Sequence, residues 1–143
     1  MPSFGPVSMS RLNTCHELLR DVFVEAIKDT PVDFAIVCGH RSKQDQDAAF
    51  KNGTSKLKYP NSKHNKLPSE AVDFAPYVGG KIDWNNEHAY DVIAHHIKEK
   101  AKVLGVPVEW GYDLWKWDRP HIQLNLTSVK PPPTPVLKPT KGM

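Results

Sequence analysis

Asp73 stands in the middle of an apolar segment, Ala71-Val72-Asp73-Phe74-Ala75, closed by Pro76 and Gly79-Gly80. A run this short and apolar reads as a β-strand. A carboxylate placed there is expensive to bury unless it is paired or holds a metal. Strand alternation turns Asp73 to the opposite face from Val72 and Phe74. The pattern therefore calls for a sheet with apolar packing on one face of this strand, leaving Asp73 free to face a cleft on the other.

Other segments supply the partners for such a sheet. Leu12, Cys15, Leu19, Val22, Phe23, Ala26 and Ile27 recur at helical spacing, which predicts one helix over Ser10–Asp29, with Ser10 as N-cap and Pro31 as stop. Asp33 to Cys38 reads as a buried strand. Lys43–Lys51 reads as a helix capped by Ser42, with Asp45 in its first turn. Thr54–Glu70 is polar and Lys-rich with two prolines, so it reads as a long loop. Ala89, Val92, Ile93, Ile97, Ala101 and Leu104 form the stripe of a second long helix over Asn86–Leu104, ended by Gly105. Val106–Trp110 and His121–Leu126 read as strands, and Gly111–Pro120 as the loop between them. This is an α+β pattern: one small domain over 1–129, its helices packed on a mostly antiparallel sheet, with room for a site in the surface cleft at Asp73. Five prolines between Pro131 and Pro139 mark 130–143 as an extended tail.

Bulk properties exclude several classes. A chain of 143 residues fits one domain. The net charge of +3 comes without a basic run, so no nucleic acid is expected as a partner. No apolar stretch approaches the roughly 18 residues of a membrane span. Met1 to Ser10 lack the basic start and apolar core of a signal peptide. The expectation is a soluble monomer made in the cytoplasm, with no membrane insertion. Cys15 and Cys38 are too few for a disulfide framework and read as reduced thiols.

The candidate chemistry lies in three segments: Ser62-Lys63-His64 leading to Asp73, Asp118-Arg119-Pro120-His121, and His40-Arg41-Ser42. Two imidazoles and a carboxylate make a zinc set that leaves a fourth position for water. Zinc lowers the pKa of such a water to about 7. Asp118, three residues before His121, is suited to move the proton. Arg41 is suited to stabilise an oxyanion. Glu109 and Asp113 are rival bases. Spacing alone leaves a metal site open, because a His, an Asp and another His can be picked from many sequences.

The ordered set Ser62-Lys63-His64, Ala71-Val72-Asp73, Glu109-Trp110-Gly111 and Asp118-Arg119-Pro120-His121-Ile122-Gln123 resembles the zinc D-Ala-D-Ala metallopeptidases of peptidoglycan. That family includes the L-alanyl-D-glutamate endopeptidases of phage endolysins. Gly39-His40-Arg41-Ser42 with Gln44 and Gln46 resembles the family's Arg-Ser…Gln segment. The resemblance makes His64, Asp73 and His121 the Zn2+ ligands, Asp118 the general base and Arg41 the contact to the substrate carbonyl. Ser62, Gln46 and Trp115 become candidate substrate-binding residues, Ser62 alternatively a support for the first ligand. An Asp rather than a Glu at position 118 resembles the endopeptidase branch. The family usually places six residues, one a Gly, between the first His and the Asp. Here eight intervene, Asn65 to Val72, read as a loop insertion that leaves the ligands in place.

The implied activity is zinc-dependent cleavage of the L-Ala–D-Glu bond of bacterial peptidoglycan by a phage endolysin. Such a lysin waits in the host cytoplasm and needs a holin to reach the wall. The alternatives are a D-Ala-D-Ala carboxypeptidase of the same family, or a non-catalytic zinc module resembling the hedgehog signalling domains. His16, His88, His95 and His96 lie on predicted helices and read as surface or partly buried side chains, while His40 is nearer the site. Trp110, Trp115 and Trp117 are either packing residues or a cleft wall, Trp110 being the core candidate. Lys51, Lys56, Lys58, Lys63 and Lys66 belong either to a solvated loop or to a cleft border that attracts peptide carboxylates.

Overall fold

The computed structural model describes residues 2–126; the Pro-rich tail assigned to 130–143 lies outside them. Five helices and five strands follow one another in the order α1 (Pro6–Leu12), α2 (Glu17–Lys28), β1 (Phe34–Cys38), α3 (Lys43–Lys51), β2 (Ala71–Val78), β3 (Lys81–Ile82), α4 (Glu87–Leu104), β4 (Val108–Trp110), α5 (Gly111–Trp115) and β5 (His121–Leu124). A 3-10 turn, Lys63–Asn65, interrupts the long loop between α3 and β2. The sheet runs β1-β2-β5-β4, with β3 paired to β2, and every pairing of these strands is antiparallel.

The apolar stripes of α2 and α4 form one core with the sheet. Leu19, Val22, Phe23, Ala26 and Ile27 from α2 and Ile93, Ala94, Ile97 and Ala101 from α4 cluster with Ile36, Val72, Phe74, Ile122 and Leu124. Each fully buried Ile or Phe side chain contributes about 1.5–3 kcal/mol. Phe34 meets Phe4, Phe23 and Phe74 edge to face at ring distances of 5.5, 6.3 and 5.9 Å. Ser10, expected as an N-cap, instead lies inside α1, which starts at Pro6, whereas the ends of the later helices fall where the sequence places them. Ser42 accepts from the Asp45 N–H, Asn86 from the Ala89 N–H, and Gly105 ends α4 at φ 72°.

The structure departs from the sequence reading in four places. The helix expected over Ser10–Asp29 is two helices, α1 and α2. Between them the backbone turns to meet the loop before β2: the Ser69 N–H donates to Thr14 O (2.9 Å) and the His16 N–H to Ser69 O (2.8 Å). Those bonds replace the helical ones lost at the break, and the His16 ring nitrogen caps α2 through the Leu18 N–H. Second, β2 runs past Pro76 to Val78 and turns at Gly79-Gly80 into β3. Both glycines have positive φ, 62° and 82°, as a two-residue hairpin of type I′ needs. Third, the segment read as a loop over Gly111–Pro120 opens with α5. Fourth, the last two strands are shorter than expected, with β4 starting at Val108 and β5 ending at Leu124.

Candidate active site

Sheet register assembles the site. Asp73 on β2 lies opposite His121 on β5 and, across the other edge, opposite Cys38 on β1. A register shift between Ile36 and Cys38 brings Cys38 rather than Val37 beside Asp73. Three neighbouring strands thus present Cys38, Asp73 and His121 in one row, while Val72, Phe74 and Ile122 go into the core. His64 reaches this row from the 3-10 turn. Ser62 caps that turn, accepting from the His64 N–H at 3.2 Å and donating its own N–H to Asn65 Oδ1 at 3.1 Å.

The geometry is tight. Asp73 Oδ1 lies 3.1 Å from His64 Nε2 and 3.3 Å from His121 Nδ1. His64 Nδ1 donates to the Gly39 carbonyl at 2.8 Å. That bond fixes its tautomer and leaves Nε2 as the inward nitrogen. Gly39 itself has no room for a side chain, since a Cβ would stand 2.3 Å from Arg11 O. The tautomer of His121 follows from a chain of three groups. Glu109 accepts from Gln123 Nε2 at 3.0 Å. A carboxylate only accepts, so the amide end beside it is the NH2 and the other end is the oxygen. That oxygen, Gln123 Oε1, lies 2.8 Å from His121 Nε2, so Nε2 carries a hydrogen, and Nδ1, 3.3 Å from the Asp73 carboxylate, is the nitrogen left for a metal.

Burial alone would push the His64 imidazole down, but the Asp73 carboxylate outweighs it and holds the group up at about 10. Burial would likewise raise Asp73, yet His64 and His121 hold it well below the usual carboxylate range. The position favours positive charge between these groups. Arg41 adds to it: Nη2 lies 3.3 Å from Asp73 Oδ2, and Nη1 donates to Gln46 Oε1 at 2.9 Å.

Around this centre lies a cleft of about 320 Å³ lined by Arg41, Ser62, His64, Asp73, Trp115, Trp117, Asp118 and His121, with Thr54 to Leu57 along one side. The Trp115 ring stands 5.4 Å from that of His121. Burial and the nearby Asp73 charge push the Asp118 carboxyl up. Gly111 lets the Asp118 segment close over α5, because a Cβ there would meet Asp118 O at 2.3 Å and His121 Cβ at 3.0 Å.

The structure therefore brings His64, Asp73, His121, Asp118, Arg41, Ser62 and Trp115 to one cleft. Gln46, expected at the substrate, sits elsewhere. It is fully buried, and its amide serves Arg41, Asn65, Ser55 and Leu57. It braces Arg41 from behind. Among the rival bases, Glu109 is engaged by Gln123 and Asn125, and Asp113 pairs with Lys98 at 2.6 Å; neither lines the cleft, and nor does His40. Trp110 is a core residue whose indole donates to Arg119 O.

Two residues escape the sequence reading. Gln123 follows His121 by two, the spacing that puts both on one face of a strand, and Glu109 stands opposite it in register. Cys38 is the other. Its Sγ, one ring nitrogen of His64 and an Asp73 oxygen all lie within 4.8 Å of one another. This trio is one possible metal-binding group, overlapping the His64–Asp73–His121 set. His121 lines the cleft and Cys38 does not. Two imidazoles whose outer nitrogens are held by Gly39 O and Gln123 Oε1, with one carboxylate, suit zinc, and facing the cleft leaves room for a substrate.

Comparison with known proteins agrees over most of the chain. The family described as phage L-alanyl-D-glutamate peptidase matches residues 2–125. The L-alanyl-D-glutamate peptidase of Escherichia phage T5 is 38% identical over 110 residues, covering 77% of this chain and 80% of that protein. The crystal structure of the Serratia marcescens L-Ala D-Glu endopeptidase ChiX superposes with a TM-score of 0.75 at 29% identity, covering 88% of this chain and 92% of ChiX. With a match this long, the chain belongs to the phage L-alanyl-D-glutamate peptidase family.

Proposed function

We propose that this peptidase is a zinc-dependent endopeptidase that hydrolyses the L-Ala–D-Glu bond of the peptidoglycan stem as a phage endolysin. The observation that carries the reading is the approach of His64 Nε2 and His121 Nδ1 to one oxygen of Asp73 at 3.1 and 3.3 Å on a cleft floor. His64, Asp73 and His121 would hold the ion. Zinc bound there supplies Lewis acidity toward a water and toward the scissile carbonyl. Asp118, its carboxyl pushed up by burial and by Asp73, takes a proton from the attacking water and returns it to the departing amine. Arg41 faces the cleft and supports the charge that develops on the carbonyl oxygen. Trp115 walls the cleft beside His121 and orients the peptide. No helix among the described residues is long and apolar enough to cross a membrane, and we propose that a holin gives the protein access to the wall from the host cytoplasm.

The test is digestion of purified peptidoglycan with and without a chelator, then zinc add-back and mass analysis of the fragments. The expected result is activity that disappears, returns with zinc and exposes D-Glu amines. Asp118→Asn should keep its zinc and lose at least about 100-fold in rate. Release of terminal D-Ala would transfer the chain to the carboxypeptidase alternative. An untouched wall under every condition, with zinc bound, would leave the non-catalytic module.

A further inference from the structure

Among the described residues, one arginine and two lysines line the cleft, and they are not equivalent. Arg41 is committed to Asp73 and Gln46. Lys63 donates to the Leu124 carbonyl at 2.6 Å. Lys56 has neither kind of partner among the described residues. Its Nζ rests 4.9 Å from the centre of the Trp117 ring, and it is an exposed group on the loop that forms one side of the cleft. Trp117 lines the same cleft and stands one residue before Asp118. The lysine therefore leaves its charge over an aromatic face of the cleft lining.

The substrate chemistry supplies what that charge lacks. A glutamate whose amine is in the scissile bond has two carboxyl groups, and only one can continue the chain. The other is a free anion on the leaving-group side. Asp118 is the group proposed to protonate the leaving amine, so the leaving-group side of the cleft is the side of Asp118 and of its neighbour Trp117. An exposed cation–π contact is weak, whereas a charge-assisted bond to a carboxylate is stronger. Lys56 can leave Trp117 for such a partner at little loss, while Arg41 and Lys63 would have to break fixed bonds.

We propose that Lys56 is a specificity-determining residue that binds the free carboxylate of the residue donating the scissile amine, and so distinguishes a glutamate there from its carboxamide. This deepens the endopeptidase reading and rests on it. Lys56 takes no part in the bond-breaking step.

The test uses two synthetic peptides with the same L-Ala–D-Glu bond, one with the free carboxylate and one with that carboxyl amidated, cleaved by the zinc-loaded full chain. Wild type should prefer the carboxylate by about tenfold in kcat/KM. Lys56→Ala should abolish the preference by raising KM for the carboxylate peptide alone, with kcat unchanged and the amide peptide unaffected. Lys56→Arg should retain most of it, and Trp117→Phe, which keeps an aromatic face, should retain it too. The proposal is overturned if Lys56→Ala keeps the wild-type ratio, or if wild type shows none. Cleavage of neither peptide by wild type would instead bring down the endopeptidase reading, and the carboxylate site with it.

Discussion

Replacing Gln123 by Leu tests whether the tautomer of His121 is set from outside the metal-facing row. The change keeps approximate volume on β5. It removes the acceptor 2.8 Å from His121 Nε2 and the donor 3.0 Å from Glu109 Oε1. With no acceptor at Nε2, the ring gains by keeping its hydrogen on Nδ1, where the Asp73 carboxylate accepts it at 3.3 Å. That tautomer blocks the nitrogen proposed to bind zinc. Gln123 is buried, so the orphaned ring N–H costs about 1–3 kcal/mol. At about 1.4 kcal/mol per decade, zinc affinity should fall about 10- to 100-fold, the range expected for loss of such an outer partner. Competition against a chromophoric chelator gives the affinity, and nitrogen-detected NMR of the imidazole gives the tautomer. Glu109→Ala should produce a smaller loss, because Gln123 then turns freely. A Gln123→Leu protein that binds zinc within twofold of wild type, with Nε2 still protonated, would refute the three-group chain.

Two further substitutions probe the frame. Gly111→Ala forces a Cβ to within 2.3 Å of Asp118 O; overpacking of about 1–3 kcal/mol should lower Tm by about 3–12 °C and reduce turnover in the protein that remains folded, whereas an unchanged Tm and rate would show that the segment yields freely. Asp29 joins the end of α2 to α4 through Lys100 at 2.7 Å and His96 at 3.1 Å, and the hydrogen bond from Lys100, more than any other contact, holds its carboxyl below the ordinary value. A depressed carboxyl stabilises above its unfolded pKa and loses that contribution as pH falls through its folded one, so Asp29→Asn should melt below wild type at pH 7, with the gap closing as the pH falls below the ordinary Asp pKa of about 3.9; a gap that persists into acid would exclude the ion pair as its source.

How much of the site is legible in the sequence depends on whether its cause is local. Asp73 betrays itself because a charge among Val72 and Phe74 breaks a one-dimensional pattern. Ser42 and Gly105 mark helix ends by chemistry that acts within one turn, whereas Ser10, read the same way, lies inside α1. Gln123 and Glu109 cannot be read this way, because their meaning lies in the register between β4 and β5, which no spacing within either strand specifies. Cys38 is hidden for a related reason: only the register shift after Ile36 sets it beside Asp73. Helix α5, five residues long, is too short to show a periodic stripe and carries two aromatics and an Asp that a loop would carry as readily.

The helix break and the long spacer between His64 and Asp73 are one structural event. An unbroken apolar stripe conceals the break, and the spacer by itself suggests only an insertion that the ligands tolerate. In the fold, Cys15 bridges Ser69, and Ser69 is fully buried with its hydroxyl on Ala71 O at 2.7 Å. Thr14 meanwhile donates its hydroxyl to Arg11 O and accepts from the His40 N–H. The turn at residues 13–16 thus holds two chains at once: the Gly39–His40 backbone, whose Gly39 carbonyl orients His64, and the Ser69–Ala71 backbone, which leads into Asp73. A continuous helix would leave both approaches without these partners. The extra residues of the spacer are therefore anchored to the broken helix rather than looped out, which is how His64 Nε2 and Asp73 Oδ1 stand 3.1 Å apart despite the longer chain between them.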